Sequence, residues 1–382
     1  MGRLLLRNAL LIDPEARAPE PGALLLEDGR IAARLPVGGE SGIDAEERDL
    51  AGRALAPGFV DLHYHGPVAS AEPGQIAPLL AEAATDLLRH GTTAFLATTL
   101  AWEDVGLADR VDRLTRLVTQ DGDRAACIGI HLEGPWIHPG AAGAQPAAGI
   151  RPYTAASGGD LLDRCQGSVR MVTLAPEVEG APSLQAELQR RGIVAALGHS
   201  LAHGEQVATA VERGARHVTH LFNAMGGLHQ REPGLAGAAL CDDRLTCDLI
   251  CDGAHVHPDW VRTAARAKGE RLVLISDRVD PGDGDRLVDD GVALRSADGR
   301  LFGSRTTLDR CVRNFCDFAG VELHEAVTAA TLRPARVLGI ESERGSLRPG
   351  ARADLVVLGA TGELCETWLA GRQVFSTALA AR

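Results

Sequence analysis

Hydrophobic and polar positions follow one pattern in the middle of the chain and another at its two ends. From about residue 58, short β-rich runs alternate with longer segments in which Ala, Leu and Arg recur with a helical period, such as APLLAEAATDLLRHG. The β-rich runs are 58–65, 92–99, 127–134, 169–177, 193–200, 217–224, 246–256 and 272–280. Eight strands that alternate with helices predict an α/β fold, a (β/α)8 TIM barrel over residues 58–340.

The two ends of the chain carry hairpin signals instead of helical ones. In ALLLEDGRIAARL, apolar and polar residues alternate around Asp28-Gly29, a favoured turn dipeptide. The segment GSLRPGARADLVVLGATGELCETWLAGRQVF has the same character. Two β-rich ends that flank a barrel predict one small domain of β-sandwich type, with residues 1–57 as its N-terminal part and 341–382 as its C-terminal part.

Charge and composition narrow the class of partner. The 39 basic residues against 51 acidic ones give a net charge of -12, which argues against nucleic acid or an anionic membrane surface as partner. The sequence contains no run of 18 apolar residues, so no transmembrane helix is predicted. The eight cysteines form no CxxC pair, and Arg7 and Asp13 interrupt any signal-peptide core. A cytoplasmic protein with reduced, buried thiols is expected.

Polar residues gather at the carboxyl ends of the predicted strands, which meet at one mouth of a parallel barrel. They are His63, His65, His131, Glu133, His199, His220, Asp252, His255 and Asp277. A single histidine or aspartate at a strand end is more often structural than a ligand. Because all of these lie at the same end, however, they predict a site for zinc or a similar divalent ion with an open position for water.

A family resemblance rests on a series of motifs. The stretches PGFVDLHYHG, GIHLEGPW, VTLAPE, GHS, THLFNAM, REPGLAGAAL and DGAHVHP follow one another in the order and spacing of N-acetylglucosamine-6-phosphate deacetylases. From Pro57 to the C-terminal PGARADLVVL, the chain resembles this family of the amidohydrolase superfamily. The resemblance implies hydrolysis of the N-acetyl group of an amino-sugar phosphate, a small-molecule substrate.

The resemblance also implies which residues bind metal. Glu133, His199 and His220 match the principal metal site, and His63 with His65 match a pair that adds a second metal in some members. A structural pair at the barrel floor is the alternative for His63 and His65. One or two divalent ions per subunit are expected, with Zn²⁺ as the first candidate and Fe²⁺ as the alternative.

Other residues match catalytic and substrate-binding positions. Asp277 matches the catalytic aspartate, and His255, Asn223 and Ala224 match substrate-binding positions. Arg231 matches a phosphate-binding arginine that reaches in from the other subunit of a homodimer; an ordinary exposed arginine is the alternative.

Two positions depart from the family pattern. Gln145 stands where the family has a histidine that approaches the substrate carbonyl, so Gln145 is expected to bind the substrate with a neutral amide. Arg278 follows the catalytic aspartate where a small residue is usual, and is expected to bring bulk and charge to the pocket. These departures leave open another N-acyl substrate, such as N-acetylgalactosamine-6-phosphate or an unphosphorylated compound. A metal-binding homologue without catalysis is a further alternative.

The single lysine excludes a common type of metal bridge. Many amidohydrolases bridge two metals with a carboxylated lysine after the fourth strand. That strand is predicted to end in Ala175-Pro176-Glu177, and Lys268 falls in a predicted helix. Glu133 is therefore the expected carboxylate ligand.

Overall fold

The computed structural model describes residues 2–118, 122–282, 287–297 and 299–377. The strands in these ranges are β1 Leu4–Leu11, β2 Glu20–Glu27, β3 Arg30–Pro36, β4 Glu46–Asp49, β5 Ala54–Pro57, β6 Phe59–Gly66, β7 Thr92–Thr99, β8 Ala126–Glu133, β9 Val169–Leu174, β10 Val194–Leu197, β11 His217–Val218, β12 Thr246–Ile250, β13 Leu272–Ile275, β14 Arg278–Val279, β15 Val288–Asp289, β16 Ala293–Arg295, β17 Leu301–Ser304, β18 Leu355–Leu358, β19 Leu364–Leu369 and β20 Arg372–Ser376. The helices are α1 Ile76–Leu87, α2 Asp104–Thr115, α3 Ala155–Arg164, α4 Ala181–Arg191, α5 Gly204–Glu212, α6 Gly234–Cys241, α7 Pro258–Lys268, α8 Leu308–Ala319, α9 Leu323–Ala330 and α10 Leu332–Leu338.

The central sheet is the predicted parallel barrel. Strands β6 to β13 each pair in parallel with the next strand in the chain, and one of the helices α1–α7 lies between each strand and the next. After β13, the N–H of Asp277 donates to the carbonyl of His63 at 2.9 Å, and β14 pairs in parallel with β6. These contacts bring the last strand against the first. Each of the eight predicted runs overlaps one of the strands β6–β13, and the TIM-barrel prediction is confirmed.

The five later strands β9–β13 all end earlier than predicted, and three of them end in the same way. Strands β10, β11 and β13 end at residues 197, 218 and 275, whereas the predicted runs extend to 200, 224 and 280. Two residues beyond each of these ends stands a residue with positive φ: 47° at His199, 33° at His220 and 47° at Asp277. A left-handed backbone cannot continue a β ladder, so the chain turns into the mouth of the barrel at these residues.

The helices pack on the sheet through one apolar face. In α4, Leu184 and Leu188 are fully buried, whereas Arg190 and Arg191 end the helix near its negative dipole. Gly192 follows with φ 68° as the left-handed helix cap. Each buried leucine contributes about 1.5–3 kcal/mol to stability.

The lower part of the barrel interior is filled by apolar side chains. One buried cluster joins side chains from seven barrel strands: Val60, Leu62, Ala94, Leu96, Ala126, Ile128, Met171, Ala196, Ile250, Val273 and Ile275. Strands so far apart around the ring meet only inside it. This apolar filling fixes the strands and supports the polar residues that follow at their ends.

Strands from both chain ends form a separate eight-stranded sheet. Its order is β20-β19-β18-β5-β1-β2-β3, and β4 pairs with β1. Strand β5 joins the two ends by pairing antiparallel with β18. Asp28 and Gly29 form the two-residue turn between β2 and β3, with φ of 48° and 78°. The prediction of a small β domain from both ends is thus confirmed, as one continuous hydrogen-bonded sheet.

The chain segment after β14 is an insertion that adds three short strands, β15, β16 and β17, to the barrel sheet. Strand β17 pairs in parallel with β14 and antiparallel with β16, which pairs in turn with β15. The chain therefore returns from the insertion beside Asp277, and residues 300–303 come to lie next to the barrel mouth.

Lys268 and the cysteines have structural positions. The buried Lys268 ammonium donates to the carbonyls of Ala239 and Asp242 at 2.7 and 2.8 Å, at the end of α6. All eight cysteines are free thiols; six are buried, but Cys316 is half-buried and Cys241 is exposed, which corrects the expectation that all are buried. None of the helices in the described residues is long and apolar enough to cross a membrane.

Candidate active site

His63 and His65 project side by side from the end of β6. Alternate residues of a strand point to the same face, and the two Nε2 atoms lie 3.2 Å apart. The Nδ1 of His65 lies 3.2 Å from the carbonyl oxygen of Thr98, which can only accept a hydrogen bond. The proton of a neutral His65 is therefore on Nδ1, and its Nε2 lone pair faces the centre of the mouth.

His199 and His220 reach the same centre from the turns after β10 and β11. Their Nε2 atoms lie 3.1 Å apart. The Nδ1 of His199 donates to the carbonyl of Ala141 at 2.8 Å, which directs its Nε2 inward, and the backbone N–H of His220 donates to the Asp248 carboxylate. Positive φ at a residue other than glycine costs about 1–3 kcal/mol and is characteristic of functional sites.

Glu133, at the end of β8, lies between the two histidine pairs. Its Oε1 is 2.9 Å from the Nε2 atoms of both His199 and His220. Its Oε2 is 3.2 Å from His65 Nε2 and 3.4 Å from His63 Nε2. Burial raises the pKa of Glu133, but the surrounding imidazoles outweigh burial and hold this pKa well below its ordinary value. The carboxylate is therefore ionised and offers one oxygen to each pair.

These five residues fit a divalent cation. In the described residues they form two buried groups whose ligand atoms lie within 4.8 Å of one another: His63, His65 and Glu133, and Glu133, His199 and His220. Imidazole nitrogens that converge on one carboxylate in this way can share protons or bind a metal ion between them. Burial lowers the pKa values of His65 and His220, but the nearby carboxylates raise them further, to about 10 and 9. Imidazole and carboxylate donors suit zinc and similar ions.

Asp277 lies at the edge of the same cluster. Its Oδ1 is 3.2 Å from His63 Nε2 and 3.3 Å from His65 Nε2. Burial raises the pKa of Asp277, but the two imidazoles lower it by more, so its pKa is below the ordinary value. An ionised carboxylate at the rim of a buried cationic centre can accept a proton from a bound water and later return it.

A cavity of about 280 Å³ opens above the cluster. It is lined by cluster residues, by the predicted substrate-binding residues and by the insertion: His65, Leu100, Glu133, Gly143, Ala144, Gln145, His199, His220, Asn223, Ala224, His255, Asp277, Val279, Arg300, Leu301, Phe302 and Gly303. The predicted residues Asn223, Ala224, His255 and Gln145 thus share one cavity. Arg231 does not: it is exposed in the loop before α6 and does not line the cavity of its own chain.

His255 is oriented by Asp252. The Nδ1 of His255 donates to Asp252 Oδ2 at 2.6 Å, and Asp252 Oδ1 accepts the backbone N–H groups of Ala254 and His255 at 2.8 Å each. The carboxylate fixes the imidazole, so that Nε2 is the atom free to meet a ligand. Asp252 was predicted only as one of the polar residues at the strand ends, and in the structure it supports His255.

The expectation for Arg278 is wrong. Its side chain lies on the outside of the barrel, with Nε 3.0 Å from Asp280 Oδ1 and Nη2 3.2 Å from Asp86 Oδ2. Arg278 begins β14, beyond the left-handed turn at Asp277, and its side chain points toward Asp86 of α1 rather than into the mouth. Val279, the next residue, lines the cavity instead. Arg278 therefore adds neither bulk nor charge to the pocket.

Sequence reasoning missed two further features of the site. Asp248, which accepts the N–H of His220 and lies 3.0 Å from His217 Nε2, is a buried charge within the apolar strand β12. A charged residue inside an apolar run is the signal that could have revealed it. The segment Arg300–Gly303 has no comparable signal, because the path of the insertion depends on the pairing of β17 with β14.

His131 was one of the polar residues noted at the strand ends, but it lies below the cluster. Its ring nitrogens contact the hydroxyls of Thr98 and Thr173 at 3.4 and 2.7 Å. Burial lowers its pKa well below the ordinary value, and His63 lowers it further, so His131 is neutral. It is a hydrogen-bonded residue of the barrel interior.

Comparison with known proteins agrees with this geometry. A model of the amidohydrolase family matches residues 54–374. An N-acetylgalactosamine-6-phosphate deacetylase of Escherichia coli O157:H7 is 33% identical over 379 residues, 97% of each chain. An N-acetylglucosamine-6-phosphate deacetylase of Danio rerio is 36% identical over 359 residues, 88% of each chain.

A solved structure is similar along the whole chain. It is a mutant N-acetyl-D-glucosamine-6-phosphate deacetylase from Mycobacterium smegmatis in complex with N-acetyl-D-glucosamine-6-phosphate. Its TM-score with this chain is 0.88 at 34% identity, and the match covers 98% of this chain and 100% of the other. The family motifs, the barrel with its ligand cluster and these full-length similarities agree: the chain belongs to the amidohydrolase family, within the group of N-acetylglucosamine-6-phosphate deacetylases.

Proposed function

We propose that this protein hydrolyses the N-acetyl group of an amino-sugar phosphate, converting N-acetylglucosamine-6-phosphate and water to glucosamine-6-phosphate and acetate. The observation that carries the proposal is the buried cluster of four histidines and Glu133, with the ionised Asp277 beside it, at the base of a cavity of about 280 Å³. Such a volume lies near the small end of the range for ligand pockets and suits a single sugar unit.

The cluster supports a metal-dependent reaction. Glu133 Oε1, His199 and His220 would hold one divalent ion, and Glu133 Oε2, His63 and His65 a second; zinc is the proposed ion, with Fe²⁺ as the alternative. A bound metal supplies Lewis acidity, which lowers the pKa of a water and polarises the amide carbonyl.

Asp277 would act as the general base and then as the general acid. As the water oxygen bonds to the acetyl carbon, Asp277 takes the water proton; as the carbon–nitrogen bond breaks, it delivers that proton to the sugar nitrogen. Amine protonation matters because an amide nitrogen is a poor leaving group. The position of Oδ1 beside His63 and His65 and the lowered pKa of Asp277 support this assignment.

His255, Asn223 and Ala224 would orient the sugar. All three line the cavity, and Asp252 holds the His255 ring in one orientation. Because the carboxylate already fixes the imidazole, little side-chain conformational entropy is lost when a substrate oxygen or nitrogen binds to its free Nε2.

A homodimer is part of the proposal. Arg231 is exposed and would reach the phosphate bound by a second copy of the chain. Exposed apolar side chains near the same loop support an interface: Leu228 is 40% exposed, and Leu201, next to the bridge between Ser200 and Met225, is 41% exposed. Across a two-fold axis, such a patch would meet its own copy.

N-acetylgalactosamine-6-phosphate is the second candidate substrate. The Escherichia coli relative that bears that name covers 97% of this chain. An unphosphorylated N-acyl substrate is less well supported. That alternative was based partly on the charge that Arg278 was expected to bring to the pocket, and Arg278 lies outside the cavity. The cytoplasm is the proposed compartment, since free thiols are typical of reducing surroundings.

The deciding experiment is a deacetylase screen on zinc-loaded protein. N-acetylglucosamine-6-phosphate, its galactosamine epimer and the two unphosphorylated sugars are offered, and acetate release is measured. We expect rapid release from one or both phosphorylated sugars. Hydrolysis of the unphosphorylated sugars alone would move the function to a different deacylase, and hydrolysis of none would contradict the proposal.

A further inference from the structure

Gln145 contacts the shared carboxylate of the cluster as well as lining the cavity. We propose that Gln145 is a positioning residue: it holds Glu133 with one oxygen turned toward each histidine pair, and so sets the metal affinity of the His63–His65 side. This inference rests on the proposed metal-dependent function. It gives Gln145 a role different from the predicted contact with the substrate.

The orientation of the Gln145 amide is fixed by its partners. Its Oε1 accepts the backbone N–H of Ala101 at 2.7 Å. An N–H can only donate, so the other end of the amide, the Nε2 group, must face Glu133, where it lies 2.6 Å from Oε2. The side chain is buried, and no rotated amide would satisfy both partners.

The loop that carries Gln145 is anchored on both sides. A Cβ at Gly149 would lie 1.8 Å from the carbonyl oxygen of Ala101, so only glycine allows the loop to approach β7 this closely. Arg151 donates to the carbonyl of Trp102 at 3.0 Å. On the opposite side, the carbonyl of Ala141 accepts from His199 at 2.8 Å. Gln145 is thus held in place before any ligand binds.

The contact distinguishes the two oxygens of Glu133. Oε1 faces His199 and His220, whereas Oε2 faces His63 and His65 at the longer distances of 3.4 and 3.2 Å and receives the Gln145 donor. Without the Gln145 hydrogen bond, Oε2 would have one partner fewer on the side of His63 and His65. The carboxylate could then rotate toward His199 and His220. The loss should therefore fall mainly on the His63–His65 side.

A neutral amide suits this position better than an imidazole. A protonated histidine would place a positive charge against the metal and compete with it for Glu133. Glutamine donates one hydrogen bond, carries no charge at any pH, and leaves the second lone pair of Oε2 for an ion. Hydrogen-bond partners of metal ligands typically change metal affinity by about 10–100-fold.

Zinc titration without substrate tests this role. Gln145→Met keeps the length of the side chain and removes both hydrogen bonds. Zn²⁺ binding to the metal-free protein is measured by competition with a chromophoric chelator, together with kcat, KM and Tm. We expect about 10–100-fold weaker binding of the zinc equivalent at His63 and His65, a smaller change in the one at His199 and His220, and a fall in kcat larger than any rise in KM.

Gln185→Met is the matched control. Gln185 is also buried and donates to a backbone carbonyl, that of Ala210 at 2.9 Å, but it lies in α4 away from the cluster. The Gln185→Met substitution should lower Tm without changing zinc affinity. If Gln145→Met fails to fold, Gln145→Ser, which leaves room for water, provides the same comparison.

Two outcomes separate this inference from the proposed function. Unchanged zinc affinity with a raised KM in the Gln145 variants would overturn the positioning role and leave a substrate contact. Failure of the unaltered protein to bind zinc or to deacetylate would count against the proposed function itself.

Discussion

The two histidine pairs of the active site are built in different ways. His63 and His65 project from a regular strand, where two-residue periodicity alone puts both imidazoles on one side. His199 and His220 come from separate strands, each from a turn with positive φ. Their positions depend on a distant loop carbonyl at Ala141 and a buried carboxylate at Asp248. The first pair is thus encoded locally, and the second is assembled by the tertiary structure.

Glu133 contacts both histidine pairs, whereas Asp277 lies beside the pair His63 and His65. Asp277 Oδ1 contacts both His63 and His65, and the Asp277 N–H donates to the His63 carbonyl where the barrel closes. The proposed proton-transfer group therefore lies beside the pair that is specified by local sequence, whereas the carboxylate that contacts His199 and His220 in the described residues is that of Glu133. The two pairs should respond differently to substitution.

Asp277→Asn should have the largest effect on turnover. The amide keeps the shape of the side chain but cannot accept the water proton, so kcat should fall by a factor on the order of 10²–10⁴ with little change in zinc content. Steady-state kinetics and elemental analysis measure the two effects. Asp280→Asn, outside the cavity, is the control. Loss of zinc along with activity would show that Asp277 acts mainly as a metal ligand.

His199→Ala should weaken zinc binding most. Removal of a direct ligand should exceed the roughly 10–100-fold effect of losing a ligand's hydrogen-bond partner. Elemental analysis after dialysis measures the remaining metal, and His203→Ala, an exposed histidine four residues further on, should retain it. Wild-type zinc content in His199→Ala would show that the assembled pair, His199 and His220, does not bind the metal.

His65→Ala should remove one zinc equivalent and leave the other. Glu133 Oε1, His199 and His220 do not depend on His65 for their contacts, so the zinc equivalent at His199 and His220 should remain. A two-site zinc titration distinguishes the equivalents. Retention of both would favour the structural alternative for His63 and His65.

Arg231→Ala should raise KM for a phosphorylated substrate by roughly tenfold or more, because hydrogen bonds to charged groups contribute about 1.5–3 kcal/mol. Arg231 belongs to neither histidine pair, so zinc content should not change. Arg164→Ala, an exposed arginine of α3, is the control. An active monomer in sedimentation velocity would contradict the shared site, and equal effects on phosphorylated and unphosphorylated substrates would contradict the phosphate contact.

The pH dependence should be the most gradual effect. In the metal-free protein the pKa values of His65 and His220 are raised from 6.5 to about 10 and 9, so both carry protons at neutral pH. The protonated rings stabilise the metal-free fold at low pH, and this contribution is lost as pH rises through 9–10. Zinc must displace these protons, so its affinity should increase with pH.

Calorimetry in buffers of different ionisation enthalpy measures the released protons. Melting curves between pH 6 and 10 should show Tm falling with pH for metal-free protein but not for zinc-loaded protein. Zinc binding without proton release would show that the two imidazoles are neutral before the metal arrives.

The barrel, the small β domain and the candidate metal-binding and catalytic residues could all be predicted from the sequence. Strand and helix periods are local properties, so eight alternating units predict the ring of β6–β13. The position of His63, His65, Glu133 and Asp277 at strand ends follows from the same periods, because parallel strands bring their ends together. The motifs from Pro57 onward pointed to the family, and the full-length relatives confirm it.

The contacts of the individual side chains could not be predicted from the sequence, because they depend on the three-dimensional packing. Arg278 points away from the cavity, and this orientation depends on the turn of the chain at Asp277 and on the pairing of β14 with β6. Gln145 reaches Glu133 because a long loop is anchored at Ala101 and His199, residues distant in sequence. Local periodicity fixes the face of a strand on which a residue lies. Contacts between distant segments depend on the packing of the whole chain, which no short stretch of sequence encodes.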